Sequence, residues 1–492
     1  MTTKIALPLA VCFMLSACDS SDTQTQEPPS VEASAVEVEL QSLIATDKIA
    51  PLAPPQEAVA IGSPLAQLGK QLFFTKALSG NLDTACASCH HPNLGGGDAL
   101  SLPVGVEALE PDLLGPGRLH DASGYHHDGG PTVPRNSPST FNLAFYQRTL
   151  FHDGRIEVLD EQGEMRTPDS AFGERDDKAG VSLAQAQARF PVTSKEEMRG
   201  FDFVIDGNND DLRAALQARF QGNTDELAIN NWLDAFRQGL EQPEGSAASL
   251  LTFDNITLAI AAYENSQVLI DNPWAAYLNG EQNAISEQAK RGALLFYKAS
   301  ERGGFACASC HQGGFFTDES FHVLAVPQIG RGKGDGEWGD DDFGRYRETK
   351  AADDKYAFRT PTLLNVTQTG PWGHSGAFTE LSDMLVHHLQ PHQSINDYVP
   401  DDTQPGIQIA HWRDNTELAL AQLDRLQSEG KSQLQPQSYE PQQIEDLLAF
   451  LATLTDPCTQ TPSCMNKWVP GENEQDADGL RLKAYADDGN LL

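Results

Sequence analysis

The sequence has few basic residues and no long hydrophobic run. Its 34 Lys and Arg residues stand against 70 Asp and Glu residues, for a formal net charge of −36. Such a field repels nucleic acid and anionic lipid, so we predict no nucleic-acid partner; it also attracts basic partners, although solubility alone can explain it. No stretch approaches the ~20 apolar residues of a membrane-spanning helix. The 492 residues are enough for two or three globular domains.

The first eighteen residues have the features of an export signal. A positive charge at Lys4 precedes an apolar run over 5–15, and Leu-Ser-Ala leads to Cys18. This ending resembles a bacterial lipobox, in which the cysteine is lipidated and becomes the mature N-terminus. We predict a signal peptide over 1–18 and a disordered tether over 19–50, rich in Ser, Thr, Gln, Glu and Pro. The protein would be a periplasmic lipoprotein held at the membrane by lipid alone, with a plain secretory peptide as the alternative.

Cysteine is scarce, and half of the eight cysteines fall in two identical motifs. The two Cys-x-x-Cys-His motifs are Cys86, Cys89, His90 and Cys307, Cys310, His311. On a helical turn, residues three apart share a face, so both thiols can reach the vinyl groups of one porphyrin. The adjacent histidine then lies under the iron as its proximal ligand. The motifs therefore predict two covalently bound haem c groups.

The other four cysteines can be assigned as well. Cys12 leaves with the signal peptide and Cys18 is the predicted site of lipidation. Cys458 and Cys464 remain, in the proline-bracketed segment DPCTQTPSCMNKWVP. In an oxidising compartment we expect them to form a local disulfide.

The two motifs lie inside a longer internal repeat. Residues 68–91 match 291–312, and residues 135–154 match 359–376, at an almost constant separation. Helical periodicity precedes each motif, and few segments alternate as strands do. The repeat predicts a mainly α fold of two haem domains related by internal duplication, with long loops. The predicted domains are 51–275 and 276–456, followed by a C-terminal tail over 457–492.

The two copies differ after the His-x-Gly sequence that they share. In the second copy, residues 380–389 continue as a plausible helix, whereas the first copy carries an insertion over 155–200. Similar proximal sides with unlike distal sides suggest two haems with different tasks. This asymmetry favours an enzyme over a simple electron carrier.

The chain resembles the bacterial dihaem cytochrome c peroxidase and MauG superfamily over roughly 60–455. The resemblance rests on both CASCH motifs, on RNSPSTFN and FHDGRIEVLDEQ, and on FRTPTLLNVTQTGPWGHSGAFTEL. It implies two cytochrome c-like domains, a peroxide-reactive N-terminal haem, and a C-terminal haem that relays or stores electrons. The implied activity is reduction of hydrogen peroxide with electrons from a small cytochrome c or cupredoxin. The alternatives are a MauG-like enzyme that oxidises side chains of a partner protein and a dihaem cytochrome that only transfers electrons.

The resemblance also implies residues for the N-terminal haem pocket. Glu197 resembles the catalytic glutamate, with Glu196 as a near alternative, and Gln162 matches the pocket glutamine. A buried carboxylate beside the iron can take a proton from one peroxide oxygen and return it to the other. Asn136, Thr369 and Pro371 match positions that hold a calcium ion between the haems, and their oxygens suit a hard cation.

The chain departs from the family at two positions. His152 stands where the family usually has a tryptophan between the haems, and Trp372 is a candidate substitute for electron transfer. His388 stands where the family has the distal Met or Tyr ligand of the C-terminal haem. Met384, one helical turn earlier, is the alternative to His388, while His387 points elsewhere. A second histidine would lower the haem potential, and a methionine would raise it.

Two loops complete the predictions. Val106 stands where peroxidases of the family carry a distal histidine, so His120, His126 and His127 in a glycine-rich loop are candidates to fold over the haem. The acidic loop 332–345, GKGDGEWGDDDFGR, is interpreted as a solvated cluster of turns.

Overall fold

The computed structural model describes residues 34–55, 58–121, 133–401, 407 and 409–492. They form a mainly helical structure with strands of only two or three residues. The α-helices are α1 (Ala35–Asp47), α2 (Pro64–Phe74), α3 (Cys86–Cys89), α4 (Leu183–Gln187), α5 (Asn209–Phe220), α6 (Trp232–Gly239), α7 (Ala247–Leu250), α8 (Phe253–Asn265), α9 (Pro273–Leu278), α10 (Glu287–Tyr297), α11 (Tyr346–Thr349), α12 (Leu381–Leu389), α13 (Pro391–Asp397), α14 (Trp412–Ser428), α15 (Pro441–Ala452) and α16 (Pro462–Met465). The strands are β1 (Thr149–Leu150), β2 (Ile156–Val158), β3 (Met165–Arg166), β4 (Phe321–Val323) and β5 (Ala357–Arg359).

The strands form two small antiparallel sheets. One has the order β1-β2-β3, with Leu150 opposite Ile156 and Val158 opposite Met165. The other pairs β4 with β5. Strands β1 and β2 pack against α4, and β4 packs against α14.

Helix α2 precedes the first motif and packs against α8. It begins after Ser63, whose hydroxyl accepts the Ala66 amide, with a proline in the first turn. The helices cross at Gly69, where a Cβ would lie 1.9 Å from the Ala259 carbonyl oxygen. Only glycine permits this approach, which brings α2 and α8 into one apolar core around Phe73.

Helix α10 precedes the second motif and packs against α15 in the same manner. Ser286 caps it by accepting the Ala289 amide. A Cβ on Gly292 would lie 1.9 Å from the carbonyl oxygen of Asp446. This second core contains Phe296 and Phe450.

The predicted tether is wrong for the part that the structure describes. Residues 35–47 form α1, which Ser34 caps by accepting the Glu37 amide. Leu40 and Leu43 are buried in the second core, and Glu37 pairs with Lys290 of α10 at 2.9 Å. These apolar and ionic contacts outweigh the polar composition that suggested disorder. Residues 1–33, with Cys18, lie outside the described residues.

The predicted domain boundary is also displaced. A boundary between 275 and 276 would fall inside α9, and Ile270, Trp274 and Tyr277 all belong to the second core. The second half of the fold therefore begins before α9, because its aromatic residues pack on α15.

The C-terminal segment 457–492 returns to the first half of the molecule. Cys458 and Cys464 form a disulfide with a Cα–Cα distance of 5.3 Å, so the predicted pairing is confirmed. Beyond it, Trp468 and Leu482 are buried in the first core. The Asp478 carboxylate accepts the hydroxyl of Thr75 at 2.7 Å and the indole N–H of Trp232 at 2.9 Å. The C-terminal tail therefore packs onto the N-terminal half and completes its core. Among the described residues, no helix has the length and apolar character needed to cross a bilayer.

Candidate haem sites

The first motif opens onto a largely apolar cavity. Cys86, Cys89 and His90 all line it, together with Phe73 from α2 and Ile260 from α8. Its volume is about 120 Å³, which is below the ~300–1,000 Å³ of most cofactor pockets. The space beside the first motif is therefore narrow.

The second motif opens onto a larger cavity. Cys307, Cys310 and His311 line a space of about 600 Å³, within the range of cofactor pockets. Asp318 and His322 form an ion pair at 2.8 Å beside Cys310. The second cavity is therefore the wider of the two.

All four motif cysteines carry free thiols, although the two in each motif are only three residues apart. Burial raises the pKa of Cys86 and of Cys307 to about 12, so these thiols are protonated at neutral pH. Unpaired thiols beside a cavity are what covalent attachment of a porphyrin requires.

The two motif histidines are held in the same way. Nδ1 of His90 lies 3.2 Å from the Gly96 carbonyl oxygen, and Nδ1 of His311 lies 3.1 Å from that of Phe316. Because a carbonyl can only accept, Nδ1 carries the hydrogen and Nε2 keeps its lone pair. Burial lowers the pKa of both rings, that of His311 to about 4 with a further contribution from His388, so both are neutral at pH 7. This is the state in which imidazole binds a metal.

Glu197 lies in the first cavity, and Glu196 is not among the lining residues. Both belong to a single π-helical turn, Lys195–Arg199, and Glu196 instead accepts the Ser194 hydroxyl at 3.3 Å. Burial raises the pKa of Glu197, which Arg155 and Lys333 partly oppose. A carboxyl whose pKa lies closer to neutrality is suited to exchanging a proton.

The prediction for Gln162 is wrong in this structure. Gln162 lies exposed in the turn between β2 and β3, and its amide N–H is held by the Asp160 carboxylate at 3.1 Å. It does not line the first cavity. The antiparallel pairing of β2 with β3 places this turn at the surface, which the sequence match did not reveal.

His388 and Met384 both line the second cavity with His311. Nδ1 of His388 lies 2.8 Å from the carbonyl oxygen of Met384, so it donates and leaves the Nε2 lone pair available. Met384 packs against a separate apolar cluster that contains Phe378. His387 is engaged elsewhere, with Nδ1 3.1 Å from the Ser394 hydroxyl and Nε2 2.8 Å from the Leu324 carbonyl, as predicted.

His152 lines both cavities and therefore lies between the two sites. Its Nε2 donates to the Asn136 carbonyl at 3.0 Å, and burial, with Arg135 beside it, lowers its pKa to about 4. The His152 ring is therefore neutral at pH 7 and is held in place by its hydrogen bond to the Asn136 backbone. Trp372 lines the second cavity but not the first, and it donates its indole N–H to the Val366 carbonyl at 3.0 Å.

The three predicted calcium ligands share one cavity. Asn136, Thr369 and Pro371 all line it, although Asn136 precedes the other two by more than 200 residues. The side-chain nitrogen of Asn136 donates to the carbonyl oxygens of Leu100 and Ser101, which directs its amide oxygen away from them. An oxygen-only set of this kind fits a hard cation.

The interpretation of the 332–345 loop as a solvated cluster is wrong for its last part, whereas residues 336–339 are exposed. Asp341 and Asp342 are buried, and the Asp342 carboxylate binds Arg135 at 2.6 and 2.8 Å. Asp341 accepts the Tyr356 hydroxyl at 2.7 Å. The loop crosses from the second half of the chain to the first, where Lys333 enters the first cavity.

The glycine-rich loop contributes no described histidine to this cavity. His120 is buried with Nε2 3.8 Å from the Glu107 carboxylate, and it does not line the cavity. His126 and His127 lie outside the described residues.

Comparison with known proteins finds one matching family model. Residues 63–283 match the family model for di-haem cytochrome c peroxidase. The matched segment is 221 of the 492 residues and contains the first Cys-x-x-Cys-His motif. The methylamine utilization protein MauG of Methylorubrum extorquens is 27% identical over 398 residues, which is 78% of this chain and 84% of that protein. The cytochrome c551 peroxidase of Pseudomonas aeruginosa is 27% identical over 363 residues, 73% of this chain and 82% of that protein.

Solved structures show the same fold. A MauG-like protein associated with microbial copper homeostasis covers 85% of this chain and 97% of its own length, with 22% identity and a TM-score of 0.54. The dihaem peroxidase BthA of Burkholderia thailandensis covers 88% of this chain and 93% of its own length, with 20% identity and a TM-score of 0.51. The family match and the cytochrome c peroxidase relatives indicate an oxidoreductase of the peroxidase type.

Sequence reasoning missed the cationic residues of the first cavity. Arg155, Lys333 and Arg359 all line it, and Arg359 also lines the second cavity. Their charge gave no signal, because isolated basic residues are common at protein surfaces.

Proposed function

We propose that this protein is a dihaem c-type peroxidase that reduces hydrogen peroxide at the N-terminal haem site, with electrons relayed through the C-terminal haem. The observation that carries the proposal is the difference between the two cavities. His90 shares its cavity with the partly buried carboxyl of Glu197, whereas His311 shares its cavity with a second neutral histidine, His388. One site has a proton-transfer group, and the other has a second ligand.

Bound haem would supply the iron that accepts peroxide and the electrons that cleave its O–O bond. Cys86 and Cys89 would hold the porphyrin covalently, and His90 would bind the iron through Nε2. Glu197 would take the proton from one peroxide oxygen and deliver it to the other, which leaves as water. The apolar walls of the cavity limit competing water.

At the second site, Cys307, Cys310 and His311 would hold the other haem, with His388 as the sixth ligand and Met384 as the alternative. With both histidines bound, this haem would favour electron transfer over peroxide binding. The electrons would come from a small cytochrome c or cupredoxin, for which the acidic surface offers a complementary field when that donor is basic.

The remaining features of the proposal follow from the chain itself. A calcium ion would lie at Asn136, Thr369 and Pro371. The two halves would derive from an internal duplication, supported by the two helix pairs that cross at Gly69 and Gly292. Lipidation at Cys18 would hold the enzyme at the membrane in the periplasm.

A MauG-like enzyme that oxidises side chains of a partner protein is the second candidate. It is favoured by the position of His388, because a low-potential second haem stores oxidising equivalents better than one with methionine. A non-catalytic dihaem cytochrome would instead need protein ligands on both faces of both irons.

Optical and electron paramagnetic resonance spectra of the purified holoprotein would test these functions. The peroxidase predicts one haem open to peroxide and continuous oxidation of reduced donor. A MauG-like enzyme predicts an oxidised two-haem state that persists after peroxide is added without donor. Two low-spin haems, oxidised and reduced, with no peroxide turnover would contradict both enzymes.

A further inference from the structure

Lys333 enters the first cavity from the opposite half of the chain. It follows Gly332, whose φ of +62° and contact with residue 340 leave no room for a side chain. The Lys333 amide donates to the Asp341 carbonyl at 2.8 Å, and Asp342 beside it binds Arg135. The backbone that carries Lys333 is therefore held firmly against the first half.

The ammonium group of Lys333 has no hydrogen-bond or ion-pair partner among the residues that the structure describes. Among the other cations of the cavity, Arg135 is bound by two carboxylates, and Arg155 by Asp153 at 3.3 Å and by the Phe151 ring at 3.7 Å. Arg359 donates its Nε to the Phe151 carbonyl at 3.2 Å, while its Nη1 has no hydrogen-bond partner within the described part of the chain. A partly buried ammonium without a partner is less favourable than one that an anion reaches.

We propose that Lys333, together with Arg155, forms a subsite for a small monovalent anion in the cavity between His90 and Glu197. The ligands of this subsite are hydroperoxide during turnover and small inorganic anions such as fluoride at rest. The proposal rests on the proposed function, because it places the anion beside the N-terminal haem.

The charge balance of the cavity gives the subsite its role. When Glu197 takes a proton from peroxide, the negative charge passes from the carboxylate to the hydroperoxide. Lys333 faces the same cavity, so it can stabilise the charge in either place. Burial, with Arg155 and Arg135, lowers the pKa of Lys333 to about 8, so most of it is still charged at pH 7. A charged ammonium that can donate a hydrogen bond to the ligand binds an anion more strongly than a neutral molecule.

Fluoride titration of the oxidised holoprotein, followed by its optical spectrum, tests the subsite without using peroxide. We expect Lys333→Gln to weaken fluoride binding about 10-fold or more, the loss of one charge-assisted hydrogen bond. Lys333→Arg should retain most of the affinity. Lys195→Gln removes an exposed lysine next to the Glu196–Glu197 pair and should leave it unchanged.

Imidazole serves as the neutral ligand in the same titration. Its affinity should be equal in the wild type and in Lys333→Gln. Unchanged fluoride affinity in Lys333→Gln, equal loss of both ligands, or no fluoride binding by the wild type would each overturn the subsite. A protein that turns over peroxide but binds fluoride independently of Lys333 would refute the subsite alone. Lys333-dependent fluoride binding without peroxide turnover would refute the proposed function alone.

Discussion

The guanidinium of Arg135 in the first half of the chain is bound by the carboxylate of Asp342 in the second half, with Nε–Oδ2 and Nη2–Oδ1 distances of 2.6 and 2.8 Å. Asp153 binds the remaining Nη1 at 2.6 Å. Both halves therefore meet at a buried, fully paired arginine. This contact also fixes the loop that carries Lys333 into the first cavity.

Removing one carboxylate from this cluster should destabilise the protein. Asp342→Asn leaves Arg135 with a single charged partner, and we expect the free energy of unfolding to fall by about 3 kcal/mol. Urea unfolding followed by circular dichroism measures it. Asp353→Asn is the control, because Asp353 pairs with Arg425 and Lys431 in solvent and should have almost no effect. Equal stability of the two variants would contradict the prediction.

The Arg135–Asp342 ion pair should make the stability of the protein depend on pH. Burial alone would raise the pKa of Asp342, but Arg135 holds it below the ordinary value of 3.8. A lowered pKa stabilises the folded state above the unfolded pKa, and this stability is lost as the pH falls towards the folded pKa. The stability difference between wild type and Asp342→Asn should therefore be constant from pH 5 to 7 and shrink below about pH 4. A difference that grows at acidic pH would show that the sign is wrong.

Two adjacent glutamates provide a matched test of proton transfer. Glu197→Gln keeps the shape of the side chain but cannot accept the proton, so peroxide turnover should fall by ~10²–10⁴-fold. Glu196→Gln, outside the cavity, should retain nearly full turnover. Stopped-flow oxidation of a reduced donor measures both, and a similar loss in both variants would remove Glu197 from its proposed role.

The second haem site makes a spectroscopic prediction. His388→Ala should remove one axial ligand and convert the C-terminal haem from low to high spin. Met384→Leu should leave the spin state unchanged if His388 is the ligand. Electron paramagnetic resonance of the oxidised protein distinguishes the two. A spin change in Met384→Leu alone would assign the ligand to Met384.

The C-terminal tail should stabilise the first half. Asp478→Ala leaves the Thr75 hydroxyl and the Trp232 indole without their acceptor, at a cost of about 1–3 kcal/mol. Asp488→Ala removes an exposed carboxylate farther along the same tail and should have little effect. Thermal unfolding of both variants tests whether the tail is part of the N-terminal fold.

The sequence by itself determined the features that depend on near neighbours along the chain. The spacing of Cys86, Cys89 and His90, the disulfide of Cys458 with Cys464, and the different directions of His387 and His388 all follow from local geometry. A helical turn or a short loop fixes these relations wherever the segment lies in the fold. Glu197 was predicted from the resemblance of its segment to the family, and it lies in the first cavity.

Only the tertiary structure decided what distant segments do to one another. Gln162 matched a motif but was carried to the surface by a hairpin, whereas Lys333 matched nothing and was carried into the first cavity. Residues 35–47 became a helix because the second core offered their apolar face a partner. Burial and charge pairing depend on which surfaces meet, and these energies are not encoded in the spacing of residues along the chain.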